Sequence, residues 1–177
     1  RPLNYPPGNI GKGFTIYTLP DNRCIGVLNL QGRTFLSQAL DCPFRTADEA
    51  VQKIRETTPV ILIDFHAEAT SEKIAFATYM DGRVSAVVGT HTHVQTADER
   101  VLPGGTAFIS DAGMTGPEDS IIGMQKASVI RKFLLQTPVH FEPAESSPML
   151  NGVIIDIDDD SGKAVSIARI HERVVFK

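Results

Sequence analysis

The stretch VILIDFHAEATSEKIAFATYMDGRVSAVVGTHTH, residues 60–93, decides the fold of this chain. It opens with a short apolar run, which predicts a strand covered on both faces of its sheet. A helix is predicted over 71–80, where it ends at the turn signal Asp81-Gly82, and 84–89 predicts a second buried strand. The order strand, helix, strand indicates a βαβ unit in which the two strands are parallel neighbours.

Shorter patterns extend this unit in both directions along the chain. β-rich runs on either side of PDNR and of DDSG predict two hairpins, one before the unit and one at the end. Thr46 is the expected N-cap of a helix over 47–56. A helix over 125–136 places four apolar residues at core spacing, namely Val129, Ile130, Phe133 and Leu134. We therefore predict an α/β fold, a layered sandwich with mixed parallel and antiparallel sheets, in a single domain over 1–177.

The composition excludes some classes of partner. Seventeen basic and twenty-one acidic residues give a formal charge of −4, and no block of Lys and Arg stands out, so we expect no stable nucleic-acid binding. No apolar stretch approaches the ~18 residues of a membrane helix, so we expect no membrane partner. Cys24 and Cys42 have neither C-x-x-C nor metal-ligand spacing, which favours a reducing, cytoplasmic location.

Three of the five histidines follow the two predicted strands of the βαβ unit. His66 closes the first strand, and His91 and His93 follow the second. In open α/β sheets, ligands collect where neighbouring parallel strands end. Because the neutral imidazole is the commonest side-chain metal ligand, we predict that His66, His91 and His93 form a metal site. The alternative is that each is a polar residue hydrogen-bonded to a backbone carbonyl.

Three acidic residues lie near these histidines in the sequence. Asp64 and Glu68 flank His66, and Asp111 follows a predicted strand over 106–110. Any of them could accept the second ring N–H of a ligating histidine. For Asp64 and Glu68 we favour the alternative, in which Asp64 points away from the site and Glu68 begins a solvated turn. The alternative for Asp111 is a cap on the loop that follows it.

Three stretches together resemble one known family, and the resemblance runs over nearly the whole chain. The stretches are RPLNYPPGNIGKGF at the start, DFHAEATSEK (64–73) and GRVSAVVGTHTHVQTADERVLPGGTAFISDAGMTGP (82–117). They are similar to the YmdB-like metallophosphoesterases, a bacterial branch of the calcineurin-like superfamily. The resemblance implies a metal-dependent hydrolase similar to phosphodiesterases that cleave 2′,3′-cyclic nucleotides at a two-metal centre, often iron.

The resemblance also implies a role for each histidine. His66 and His91 match two ligands of one metal, and His93 matches a ligand of the second. The implied cofactors are two divalent metal ions, iron first, with manganese or zinc as alternatives. The implied partner is a small phosphodiester or cyclic nucleotide substrate.

Four functional residues of the family have no counterpart in this sequence. They are an aspartate in a GDVVG-type motif, a metal-bridging glutamate in GEN, and the asparagine ligand and catalytic histidine of GNH. With its Pro- and Gly-rich opening, the sequence is interpreted as the C-terminal portion of the family's fold, truncated at the N-terminus. We therefore expect no catalytic residue in it and an isolated chain that is inactive. An exposed sheet edge would favour self-association, hence a homo-oligomer.

Two alternatives remain open from the sequence. A capsule-polymer-synthesis-like protein also carries a His-rich motif after a strand, although the continuation ADERVLPGGTAF favours the YmdB-like branch. A metal-binding or assembly module without hydrolytic activity is the alternative from another class of protein.

Overall fold

The structure, a computed structural model, describes residues 1–174. Nine strands and three helices follow one another in this part of the chain. In order they are β1 (Phe14–Thr18), β2 (Cys24–Gln31), α1 (Pro43–Arg55), β3 (Ile61–His66), α2 (Thr70–Met80), β4 (Ala86–Thr90), β5 (Arg100–Val101), β6 (Ala107–Ile109), β7 (Gly116–Pro117), α3 (Lys126–Leu135), β8 (Pro148–Ile157) and β9 (Ala164–Arg173).

The predicted βαβ unit is β3, α2 and β4, and it lies at the centre of a six-stranded sheet. The order of strands in this sheet is β1-β2-β3-β4-β6-β5. Strands β2, β3, β4 and β6 are parallel neighbours. The outer strands β1 and β5 are antiparallel to their partners, and β1 with β2 is the first predicted hairpin. The predicted α/β fold with mixed strand directions is therefore confirmed.

The second predicted hairpin, β8 with β9, is also present, but it belongs to a separate sheet. Strands β7, β8 and β9 form this three-stranded antiparallel sheet. Leu62 and Val88 of the first sheet pack with Ile155 and Ile167 of the second around three buried alanines. The second sheet therefore covers one face of the first.

Helices α1 and α2 cover the other face of the six-stranded sheet. Ile61, Ile63 and Phe65 point into this layer and are buried. Phe65 stacks on Phe76 of α2, with ring centroids 4.2 Å apart, and Ile54 of α1 joins the same cluster. Strand β3 is thus covered on both faces, by helices on one side and by the second sheet on the other.

Helix α1 begins earlier than predicted. Its N-cap is Cys42 and its first residue is Pro43, so the expectation that Thr46 caps it is wrong. Proline has no N–H to satisfy and its fixed φ suits the first helical position, which explains the earlier start. α1 is the longest of the helices at 13 residues. Within residues 1–174, no helix has both the length and the apolar character that crossing a bilayer requires.

Helix α3 does not contribute to the core as predicted. Of the four residues at core spacing, only Val129 is buried, whereas Ile130, Phe133 and Leu134 are 49, 72 and 76 % exposed. The spacing predicts one apolar face of a helix correctly, but it does not predict whether another element covers that face. Both faces of the main sheet are already covered by other elements.

Candidate metal centre

Two of the three predicted histidines meet at the carboxyl edge of the parallel strands. His66 is the last residue of β3 and lies opposite Thr90, the last residue of β4. His91 follows Thr90 directly. Nε2 of His66 is 3.1 Å from Nδ1 of His91. Their ring planes cross at 77°, with centroids 4.9 Å apart.

Hydrogen bonds determine which nitrogen of His66 carries its proton. The hydroxyl of Thr90 donates its single hydrogen to Oδ1 of Asp64 over 3.0 Å. Oγ1 of Thr90 must therefore accept the Nδ1–H of His66, 3.1 Å away. Nε2 of His66 keeps its lone pair and faces His91, the tautomer that a metal ligand needs.

Asp64 points towards the site, and the expectation that it points away is wrong. It accepts hydrogen bonds from Thr90 and, over 2.6 Å, from the side-chain amide of Asn29. The alternation of β3 explains this, because Phe65 faces the helix layer and Asp64 must then lie on the opposite face. Asp64 therefore reaches His66 through Thr90, whose hydroxyl bonds both side chains.

The environment of His66 favours its neutral form. Burial lowers the pKa of the imidazole below its ordinary value, and the nearby His91 and Lys73 lower it further. The carboxylates of Asp64 and Asp111 act in the opposite direction without reversing the result. At pH 7 His66 is neutral, which is the form that ligates metals.

The backbone around the second strand end is strained. His91 has φ +124° and His93 has φ +68°. Few residues other than glycine adopt positive φ, and such conformations persist only where the surroundings hold them. Strain on both sides of Thr92 marks the segment 91–93 as one that the fold holds in an unfavourable conformation.

His93 does not join the His66–His91 pair. Its exposed side chain borders an open polar cavity of about 750 Å³ that is also lined by Gln95, Asn151 and His171. Among residues 1–174, no three His, Cys, Asp or Glu side chains are grouped so that they could hold one metal ion. The structure thus brings together His66 and His91, and it places His93 in the lining of this cavity.

The other two acidic candidates do not bind a histidine ring closely. Asp111 caps its loop, because it accepts the N–H groups of Thr92 and Gly113 over 2.8 and 2.9 Å. Burial raises the pKa of Asp111, but these two N–H donors and nearby Lys73 outweigh burial and bring it below its ordinary value. Glu68 is half-exposed, with one oxygen 4.0 Å from Nε2 of His91.

The donor geometry of the pair fits one metal ion. Two imidazole nitrogens bound to one ion at 2.0–2.1 Å lie roughly 2.9–3.4 Å apart for right-angled to tetrahedral coordination. The observed separation between Nε2 of His66 and Nδ1 of His91 is 3.1 Å. The pair could supply two ligands to such an ion, and within residues 1–174 no third His, Cys, Asp or Glu side chain is grouped with it.

The sequence interpretation missed two residues that lie near this pair. Thr90 ends β4 opposite His66, and that register could have been read once the two strands were assumed to be parallel neighbours. Lys73 lies in the first turn of α2, is buried and pairs with Asp111. A lysine there reads as solvent-exposed, so no pattern in the sequence indicated its role.

Comparison with known proteins identifies the family. Residues 1–170 match the family model described as YmdB-like protein. The chain belongs to the YmdB-like family. The resemblance read from the three motifs is confirmed, and it prevails over the capsule-synthesis alternative.

Relatives of this YmdB-like chain are longer than the chain itself. A 2′,3′-cyclic-nucleotide 2′-phosphodiesterase of Bacillus subtilis (strain 168) is 57 % identical over 170 residues, which are 96 % of this chain and 64 % of the relative. The crystal structure of a hypothetical protein from Thermus thermophilus has TM-score 0.90 and 40 % identity, covering 98 % of this chain and 66 % of that one. The crystal structure of a novel phosphatase from Mycoplasma pneumoniae has TM-score 0.88 and 35 % identity, covering 98 % of this chain and 63 % of that one. The YmdB-like chain therefore spans less than two thirds of the length of each.

Proposed function

We propose that this chain supplies the histidine side of a two-metal phosphodiesterase centre that hydrolyses 2′,3′-cyclic nucleotides. The observation that carries the proposal is the His66–His91 pair, whose nitrogens face each other at 3.1 Å where β3 and β4 end. Membership of the YmdB-like family and the name of the B. subtilis relative supply the reaction class.

His66 and His91 would hold one divalent ion, and His93 would serve the second. Imidazole ligands suit iron and zinc, and iron is our first choice, with manganese or zinc as alternatives. When bound, such ions polarise phosphoryl oxygens and provide a nucleophilic hydroxide at neutral pH. The chain's own part includes a neutral imidazole at His66, which the lowered pKa of His66 and its bond to Thr90 favour.

The cavity beside His93 is our candidate for the nucleotide site. Its volume of about 750 Å³ lies within the range of small-molecule sites, roughly 300–1,000 Å³. Its lining combines the apolar side chains of Met114 and Met149 with the polar groups of Asn151 and His171. A lining of this kind can contact a flat base and the polar edge of a ribose, whose phosphate would then lie towards His93.

A chimaera tests the proposed activity. The part of the B. subtilis relative outside the matched region is joined to this chain, and hydrolysis of 2′,3′-cyclic AMP is measured with Mn²⁺ or Fe²⁺. We expect metal-dependent turnover that His66→Ala abolishes, because that ring supplies a metal ligand. The matched control is His140→Ala, since His140 is exposed in the loop after α3 and should be dispensable.

Metal binding without any turnover by the chimaera would contradict the proposed activity. It would instead support the metal-binding or assembly module. Turnover that persists in His66→Ala would contradict the assignment of the metal site to the His66–His91 pair.

A further inference from the structure

A buried ion pair lies directly behind the candidate metal centre. Nζ of Lys73 is 3.1 Å from Oδ2 of Asp111, and both side chains are only 2 % exposed. Each of the other ion pairs described within residues 1–174 has side chains that are at least 21 % exposed. This pair is therefore unlike the remainder and calls for a separate explanation.

Stability of the fold does not explain the pair. Removing an ammonium and a carboxylate from water costs free energy that their attraction only partly returns, and apolar residues of similar volume often serve as well. Lys73 also lies in the first turn of α2, where the helix dipole disfavours a positive charge. Burial and the helix dipole therefore both act against a lysine ammonium at this position.

The pair holds the strained segment between the two histidines. Oδ2 of Asp111 accepts a hydrogen bond from the N–H of Thr92 over 2.8 Å, and the same oxygen contacts the ammonium of Lys73. Thr92 lies between His91 and His93, whose φ angles are both positive. The second oxygen, Oδ1, accepts the N–H of Gly113 over 2.9 Å and fixes the orientation of the carboxylate.

We propose that the Lys73–Asp111 pair positions His91 for metal binding by anchoring the backbone of Thr92. The inference rests on the proposed function, since it assigns the pair to the same metal centre. No hydrogen bond joins Lys73 or Asp111 to either imidazole within the described residues, so both are positioning residues. Without the ammonium, the N–H of Gly113 still binds Oδ1, but nothing besides Thr92 itself holds Oδ2 in place, and Oδ2 can turn away from Thr92. The segment 91–93 then relaxes, and Nδ1 of His91 leaves its place opposite Nε2 of His66.

Two charge-removing variants and two controls test this inference on the 177-residue chain. Lys73→Met keeps the length and apolar stem of the side chain, and Asp111→Asn keeps its shape. Lys73→Arg restores the charge and should rescue binding. Arg83→Met breaks the ion pair between Arg83 and Asp48, which joins the segment after α2 to α1, away from the histidines. Each variant is measured for thermal unfolding, for Zn²⁺ affinity by calorimetry, and for the ring ¹⁵N shifts of His66 and His91.

The expected result separates positioning from a purely structural role. Lys73→Met and Asp111→Asn should unfold cooperatively yet bind Zn²⁺ roughly 10- to 100-fold more weakly, the usual loss when a partner behind a ligand is removed. Their His66 and His91 ring shifts should change, while Arg83→Met leaves affinity and shifts as they were. Unchanged affinity and shifts in both folded variants would overturn the inference. Loss of folding in both would also overturn it, because the pair would then be a determinant of stability.

Failure of the proposed function gives a different result. If the unaltered chain binds no Zn²⁺ at the histidines, the metal centre is wrong. The ring shifts still decide the positioning, because the His66–His91 contact exists without metal. Shifts that change in Lys73→Met but not in Arg83→Met would support the anchoring of Thr92, and shifts that stay constant in both would refute it.

Discussion

Substituting Gly89 by alanine should push strand β4 away from the backbone of Ser110, next to the candidate metal centre. Gly89 lies in β4, one residue before Thr90. A Cβ at this position would lie 1.9 Å from the carbonyl oxygen of Ser110 and 2.6 Å from its carbonyl carbon. Both are backbone atoms, so no side chain can rotate to make room. The φ angle of Gly89 is not positive, and the effect of the substitution is therefore steric.

The size of the effect follows from the displacement that the added methyl group would require. Contacts of a Cβ under 3.0 Å essentially never occur, so the backbone must move by about 1.1 Å, from 1.9 to 3.0 Å. That movement would strain the 2.9 Å hydrogen bond from Ala112 N–H to the carbonyl of Gly89. Overpacking costs about 1–3 kcal/mol, and rigid backbone on both sides places this site near the upper value. For a chain of this size, about 3 kcal/mol lowers Tm by roughly 6–12 °C.

Thermal unfolding followed by circular dichroism measures this loss. Gly152→Ala is the matched control, because Gly152 also lies in a strand but a Cβ there would meet nothing within 4 Å. Its Tm should stay the same or rise slightly, since alanine restricts the unfolded chain. A Tm of Gly89→Ala equal to that of Gly152→Ala would refute the close packing of β4 against the segment after β6.

Three further measurements test the electrostatics and the core. In metal-free protein, the ring protons of His66 should titrate with a pKa below the ordinary histidine value. The free energy of unfolding should therefore be highest above about pH 6.5 and fall as the pH drops through the lowered pKa. Titration at or above about pH 6.5 would count against the buried, neutral imidazole. Burial raises the pKa of Asp98, but hydrogen bonds from Ser110 and Thr96 outweigh it, so the pKa is lowered overall. Asp98→Asn should therefore cost about 1–3 kcal/mol at neutral pH, and this difference in urea unfolding should shrink as the pH falls below about 4; a constant difference would contradict it. Phe76→Ala should cost about 3–5 kcal/mol and Phe133→Ala less than about 0.5 kcal/mol, because only Phe76 is buried, and equal losses would show that the described burial is wrong.

The sequence predicted those parts of the fold that local patterns control. The apolar runs that became β3 and β4, with a helical pattern between them, were sufficient to predict a parallel pair. Because parallel strands end at one edge, the same reasoning predicted that His66 and His91 lie together. Both hairpins followed from turn signals flanked by β-rich runs.

Features that depend on distant partners could not be predicted from the sequence. The burial of Phe133 depends on whether another element covers α3, and no spacing within the helix carries that information. The direction of Asp64 depends on which face of β3 the helices cover. Lys73 was missed because its buried partner, Asp111, lies 38 residues further along the chain. The ring of His93 was placed by a strained loop rather than by a strand, so sequence proximity to His91 did not bring it to the pair.

Anomalous scattering from crystals of the chain equilibrated with Zn²⁺ would show whether the His66–His91 pair binds metal, because it locates the ion without reference to activity. We expect a peak about 2.1 Å from both Nε2 of His66 and Nδ1 of His91, and no such peak in His66→Ala. Zinc bound elsewhere in the chain with none at this pair, or no ordered zinc at all, would contradict it.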